Sequence, residues 1–382
     1  MPALYVHVPF CASVCPYCDF ATMAAPPRLH GEWLSTLRRE ALAWRERPVG
    51  EFDWGKSRFD TLYFGGGTPS ILDGAVLADA VEAVRGAFEV DSVEATIEAN
   101  PDDVSPEKTA LWKELGFTRV SLGVQSLDDR TLRAIGRVPD RARALSALSL
   151  LLESGLSVTA DLMFALPGQS AAEFLSGLRE LLATGVPHLS FYGLGLEGKT
   201  LFAQRAARGE LGVDEEIYAE CYSRGVELCA EAGLARYELS NFAKPGFESR
   251  HNRAYWRGEP YLGLGPGAHG YDGRSLRFSN PKSFPAWRTA VLAGEPAPER
   301  DPLGPLERFE EAVWLGLRLA EGFEPETVAA LSPEPNAAAR LMERAGPWIA
   351  RGALERVGGR LRLRGDGWLL LDEIAPALFP EN

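Results

Sequence analysis

The sequence predicts an α/β fold built on a parallel sheet. Three observations point to it: six apolar, β-branched runs of strand length, six intervening segments of helical period, and a glycine that closes four of those segments. The first strand is Leu4–Val8, followed past a cysteine-bearing loop by a helix over about 31–46. Thr61–Phe64 leads to a helix at 72–88, and Glu94–Glu98 to one at 105–115 that Gly116 ends. Arg119–Gly123 precedes 140–154 and Gly155, Ser157–Phe164 precedes 171–184 and Gly185, and His188–Tyr192 precedes 214–232 and Gly233. Periodicity does not separate an open doubly wound sheet from a partial barrel. In both, the functional face lies at the carboxyl ends of the strands, where the βα loops gather.

This rhythm sets a first domain at residues 1–235. Residues 236–305 form an extension whose part 244–305 is rich in Gly, Pro and aromatics, among them Tyr255, Trp256, Tyr261, Tyr271, Phe278, Phe284 and Trp287. So many aromatics do not suit a flexible linker, and we expect an irregular extension packed on the first domain. Residues 306–382 read as a small C-terminal domain, with helices near 307–320, 324–331 and 336–351, strands Leu354–Val357 and Arg360–Arg364, and a last apolar segment Trp368–Ile374. Helices followed by a short hairpin are winged-helix-like.

Composition narrows the function. With 40 Lys and Arg against 53 Asp and Glu, the 382-residue chain carries a net charge of −13. A sequence pI near 5.1 excludes the basic stripe that nucleic-acid binding needs. No run of apolar residues is long enough to span a membrane, and no basic region followed by an apolar stretch marks a signal peptide. A cytoplasmic, reducing location follows as an expectation, and any membrane contact would pass through a partner, since no basic amphipathic helix is evident. Five cysteines are too few and too unevenly placed for a disulfide framework.

Three of them form Cys11-Ala-Ser-Val-Cys15-Pro-Tyr-Cys18 directly after the first strand. Three thiolates on one short loop suit three irons of a [4Fe–4S] cubane, leaving the fourth iron open to a small chelating molecule. A zinc site completed by His7 is the alternative, although such sites usually pair two Cys knuckles. The second motif, Tyr63-Phe64-Gly65-Gly66-Gly67-Thr68-Pro69-Ser70, follows the second strand and opens a helix. Glycines let backbone approach a ligand closely, and a helix N-terminus offers N–H groups. Glu98, Gln125 and Asp161 place a polar group at the ends of three consecutive strands.

The cysteine triplet resembles the signature of radical S-adenosylmethionine (SAM) proteins, and the glycine run resembles their GGGTP loop. The resemblance implies a partial (β/α)6 barrel, a [4Fe–4S] cluster on Cys11, Cys15 and Cys18, and SAM chelated to the open iron. Gly66, Gly67 and Thr68 would then contact the methionyl amine. Within the superfamily the chain resembles the coproporphyrinogen dehydrogenase-like branch. There Glu98 and Gln125 would hold the nucleoside and amino-acid parts of SAM, Arg137 its carboxylate and Asp161 its ribose, with Tyr5 and Tyr17 as further contacts.

Two members of that branch remain, the oxygen-independent coproporphyrinogen III dehydrogenases and the HemW-like heme chaperones. The dehydrogenases carry a fourth Cys two residues after the triplet, where this chain has Phe20, and an extension ahead of the first strand. His251-Asn252-Arg253-Ala254-Tyr255-Trp256 matches the HNxxYW signature of the chaperones. The resemblance thus implies heme as cargo, acceptor proteins as partners and His251 as a candidate heme ligand; apart from it, His269 in Gly267-Ala268-His269-Gly270 is a second candidate. Radical decarboxylation of coproporphyrinogen III is the alternative. Cys221 and Cys229, two helical turns apart, read as core thiols.

Overall fold

The computed structural model describes residues 2–24, 26–46, 52–138, 140–196 and 198–380. Six strands follow the predicted order: β1 (Ala3–Val8), β2 (Arg58–Gly66), β3 (Glu89–Ala99), β4 (Arg119–Gln125), β5 (Ser157–Phe164) and β6 (His188–Gly193). Each is parallel to the next. The helices after them are α1 (Arg28–Glu46), α2 (Gly74–Ala87), α3 (Pro106–Glu114), α4 (Arg141–Glu153), α5 (Ala171–Ala183) and α6 (Glu215–Glu231). Gly116, Gly155, Gly185 and Gly233 all adopt positive φ, between +79° and +81°, as left-handed helix ends require.

Side-chain alternation along these strands separates two chemically different faces. Val6, Leu62, Phe64, Ile97, Leu122, Val158, Ala160 and Leu189 are buried in one apolar core with Leu77, Val81, Leu148 and Leu178 of the helices. The opposite face carries Tyr5, Tyr63, Thr96, Glu98, Ser121, Thr159, Asp161 and Ser190, the interior of a partial barrel. Register aligns them: Glu98 is opposite Ser121, Ser121 opposite Thr159, and Asp161 opposite Ser190. A polar barrel interior is stable only if water or a ligand satisfies it.

The Gly- and Pro-rich stretch is more regular than its composition suggests. It adds β7 (Ala235–Arg236) and β8 (Asn241–Ala243) beyond β6, and β9 (Tyr261–Leu264), β10 (His269–Tyr271), β11 (Leu276–Ser279) and β12 (Glu299–Pro302) beyond β1. The sheet has twelve strands in the order β12-β11-β10-β9-β1-β2-β3-β4-β5-β6-β8-β7. Two helices lie in this stretch, α7 (Arg250–Trp256) and α8 (Phe284–Leu292).

Two buried carboxylates fasten it to the barrel. Glu40 of α1, with no exposed surface, accepts from Gly265 N at 2.8 Å, from Trp287 Nε1 at 3.0 Å and from Asn280 Nδ2. Burial pushes its carboxyl up to about 7 against those donors. Glu94 of β3 takes the backbone N–H groups of Arg250 and His251 and pairs with buried Arg119 at 3.2 Å. Removing one partner of such a buried set costs about 3 kcal/mol or more.

The C-terminal residues form α9 (Pro305–Arg318), two shorter helices at Pro325–Ala329 and Ala337–Ala350, a hairpin pairing Leu354–Val357 with Arg360–Leu363, and a last helix at Leu371–Ala377. Arg318 lies 4.2 Å from the Trp256 ring, so α9 packs against α7. No helix among the described residues is long and apolar enough to cross a membrane.

Candidate functional site

A cavity of about 310 Å³ opens at the carboxyl ends of β2 to β6. Cys11, Cys15, Cys18, Tyr17, Gly66, Gly67, Thr68, Glu98, Gln125, Arg137 and Asp161 all line it. Residues more than a hundred positions apart in the chain therefore meet in one place, and each arrives by an identifiable route.

The cysteine loop is anchored at its base. Gly67 N donates to Val8 O and Thr68 N to Phe10 O, both at 2.8 Å, and Met23 N donates to Pro9 O at 2.7 Å. Thr68 Oγ1 donates to Cys11 Sγ at 3.5 Å. Burial raises the Cys11 thiol to about 11 and moves Cys18 in the same direction, so these groups hold their protons until a metal displaces them. His7, the residue that would complete a zinc site, has both ring nitrogens engaged, Nδ1 with Tyr5 Oη and Nε2 with Ala21 O, each at 3.0 Å. Among the described residues no three His, Cys, Asp or Glu side chains converge as they would on a single ion.

The glycine run works differently from a helix N-terminus that cradles an anion. Gly66 N donates to Glu98 Oε2 at 2.9 Å, and the next two N–H groups hold the cysteine loop. One short turn, Pro69–Ile71, intervenes before α2, whose start is capped by Asp73 through Ala75 N at 2.9 Å. The N–H groups of the run are therefore taken up within the protein. Gly66 has φ +107°, and a Cβ there would sit 2.3 Å from His7 Cε1.

Glu98 also accepts from Tyr63 Oη at 2.8 Å, and burial, aided by Asp161, pushes its carboxyl up to about 7. Asp161 accepts from Ser121 Oγ at 2.9 Å, and burial pushes it up to about 6. Gln125 adopts φ +65° at an irregularity in the β4–β5 register, which turns its amide toward Tyr192 Oη at 3.3 Å. Arg137 donates to Gly123 O at 2.6 Å and to Asn100 Oδ1 through the same nitrogen, while its Nε is buried with no partner. Arg137 lines the cavity, and a guanidinium there suits a carboxylate ligand.

Tyr5, His251 and His269 lie elsewhere. Tyr5 lines a neighbouring cavity. His251 is 1% exposed in the core, its Nδ1 2.8 Å from Thr61 Oγ1 and its Nε2 2.9 Å from Tyr255 Oη. Burial lowers it to about 3, so the ring is neutral, and an incoming iron would have to displace one of two hydrogen bonds inside the core. Its neighbour Asn252 lines the cavity instead. Asn100, Ser121, Ser190 and Tyr192 line it as well and were not singled out from the sequence. The signal was present: each lies two residues from a polar or glycine position on a predicted strand, hence on the same face. Cys221 and Cys229 are fully buried core thiols.

The described geometry has counterparts among known proteins. The radical SAM superfamily profile matches residues 5–181. The chain is 38% identical to the heme chaperone HemW of Mycobacterium tuberculosis (strain H37Rv), over 98% of this chain and 94% of that protein. It is 34% identical to the heme chaperone HemW of Bacillus subtilis (strain 168), over 86% of each. Among solved structures, Escherichia coli coproporphyrinogen III oxidase (HemN), a radical SAM enzyme, superposes with a TM-score of 0.83 at 20% identity, covering 99% of this chain and 90% of that one. At that identity the likeness is one of fold.

Proposed function

The chain belongs to the radical SAM superfamily and, within it, to the HemW heme chaperones, and from that premise we propose that it holds a [4Fe–4S] cluster and SAM and delivers heme to acceptor proteins. One observation supports the cofactor reading above the others: the three cysteines, the glycine run and the polar strand ends share one cavity. Bound there, a cluster with one unliganded iron supplies a chelation point for an amino-acid head group and a source of single electrons.

The chain's own residues divide the rest of the work. Cys11, Cys15 and Cys18 hold three irons. Gly66, Gly67 and Thr68, whose backbone N–H groups are engaged or turned to the cysteine loop, offer oxygens to the ammonium of SAM, and the Arg137 guanidinium pairs with its carboxylate. Glu98 and Asp161 accept from hydroxyl and amine groups, and Tyr17 and Gln125 close the walls. Tyr5 contributes indirectly, by fixing the His7 ring against which Gly66 packs.

Hemin titration of the anaerobically reconstituted chain, followed by mixing with apomyoglobin, tests the reading. A saturable Soret change and subsequent growth of the myoglobin spectrum are expected. Turnover of coproporphyrinogen III with SAM and a reductant, at a rate like that of an authentic dehydrogenase, would overturn it in favour of decarboxylation.

SAM affinity should depend on pH through Glu98. Its carboxyl, raised to about 7, is protonated below that value, and the protonated form has lost the negative charge and part of the accepting capacity that favour a cationic or hydroxyl-bearing ligand. Affinity therefore rises with pH and levels off above about 7, by up to roughly tenfold per pH unit below the pKa. Glu98→Gln should bind more weakly and lose that part of the slope. Equal slopes between pH 5.5 and 8 for wild type and Glu98→Gln would show that Glu98 does not accept from the ligand.

A further inference from the structure

On the far side of the cysteine loop lies a second cavity of about 510 Å³. Asp19, Phe20 and Ala21, which follow the last cysteine, form its near wall. Its far wall is aromatic, with Tyr255 and Tyr261 ring centres 4.6 Å apart and Tyr261 and Tyr271 6.3 Å apart. The fold brings them together: Tyr261 of β9 is directly opposite Tyr271 of β10, and Tyr255 is in the last turn of α7.

His269 lines the same cavity. It lies two residues before Tyr271 on β10 and so shares that residue's face. Unlike His251, it is exposed, and its ring makes no hydrogen bond among the described residues. Partial burial and the cations of Lys282 and Arg277 lower its pKa, leaving a neutral imidazole, although Glu299 acts in the opposite sense. Both cations line the cavity. Lys282 is 67% exposed and only loosely paired, 3.9 Å from Asp19, whereas Arg277 is bonded to Glu311.

Resting on the heme-chaperone reading, we propose that this groove is the porphyrin site, with His269 as the iron ligand, the three tyrosines against the macrocycle and Lys282 at the propionates. An iron porphyrin makes three demands: a neutral nitrogen donor at its centre, flat apolar cover, and a cation near one edge. His269, the Tyr255-Tyr261-Tyr271 wall and Lys282 meet them in that order. The volume falls within the roughly 300–1,000 Å³ of small-molecule sites. A further cavity of about 910 Å³ beside α9 shares Trp256, Gly258 and Tyr271 with the groove. An edge left accessible there is what a protein that hands its cargo on requires. His251, in this assignment, is a positioning residue, its Nε2 fixing the hydroxyl of Tyr255.

The test is hemin titration of the full, cluster-reconstituted chain, read by the Soret band and the visible ligand-field bands. His269→Ala should weaken hemin binding at least tenfold and abolish the histidine-ligated spectrum, and added imidazole should restore that spectrum. Lys282→Glu should weaken binding several-fold with the ligand-field bands unchanged. Cluster absorbance and SAM affinity, equal to wild type in both variants, report an intact fold. Wild-type affinity and spectrum in His269→Ala would overturn the assignment and leave the chaperone reading standing. A wild-type chain that takes up no hemin would overturn both.

Discussion

Replacing Cys15 by serine is expected to strip the chain of its iron, from about four irons per reconstituted chain to well below one. Two thiolates cannot hold a cubane that already has an open corner. Cys15 is the informative position because its backbone carbonyl accepts from Cys18 N at 3.1 Å, a turn the serine keeps. The bonds from Gly67, Thr68 and Met23 that fasten the loop are equally untouched. Cluster-free wild type and Cys15→Ser should therefore melt within a few degrees of each other, while iron content and the broad visible absorbance separate them. A variant that keeps both would remove Cys15 from the ligand set.

Gly66→Ala is expected to weaken SAM binding about a hundredfold. The position combines φ +107° with a clash against a fixed ring, since the new Cβ would lie 2.3 Å from His7 Cε1 and 2.4 Å from Nδ1. His7 cannot swing aside cheaply, because both its nitrogens are bonded. The strand end must shift instead, which breaks the Gly66 N to Glu98 bond and displaces this part of the cavity wall. A residue forced into such backbone space costs about 1–3 kcal/mol before the clash is counted. At 1.4 kcal/mol per factor of ten, about 3 kcal/mol gives the expected hundredfold. Gly86→Ala is the control: it lies in α2 with nothing within 4 Å of its added Cβ, and should leave SAM affinity unchanged. Equal SAM affinity in Gly66→Ala and wild type would exclude the glycine run from the binding surface.

How much of this was legible in the sequence depended on the range of the forces involved. Ser157–Phe164 is found as expected, residue for residue, because a strand buried among neighbours announces itself by its own composition. The cysteine loop and glycine run could be placed together from the sequence because each motif is local. The strands β9 to β12 were not, since each has only three or four residues, and only β9 pairs with β1, far away in the chain, the others building outward from it. The HNxxYW match identified a segment but not what its residues do. A helix turns each residue about 100° from the last. Asn252 consequently lines the first cavity, Tyr255 and Trp256 the second, and His251 packs inside the core. Tyr5 shows the same limit, because alternation gives the face of a strand but not which of two neighbouring cavities that face meets.

The place of β1 in the sheet has a consequence for the timing of synthesis. One edge of β1 is covered by β2, but the other receives β9, which begins only at Tyr261. At a ribosome speed of about 5–20 residues per second, that edge stays open for on the order of ten seconds or more after it is made. An unpaired parallel strand is a template for aggregation. The cysteine loop directly after it is accessible over the same interval, because its far side is walled only when residues 255–271 arrive. Closure of that side of the sheet therefore comes only with the last third of the chain. The last third of the sequence acts as a clock that ends the interval in which the loop can be reached from that side.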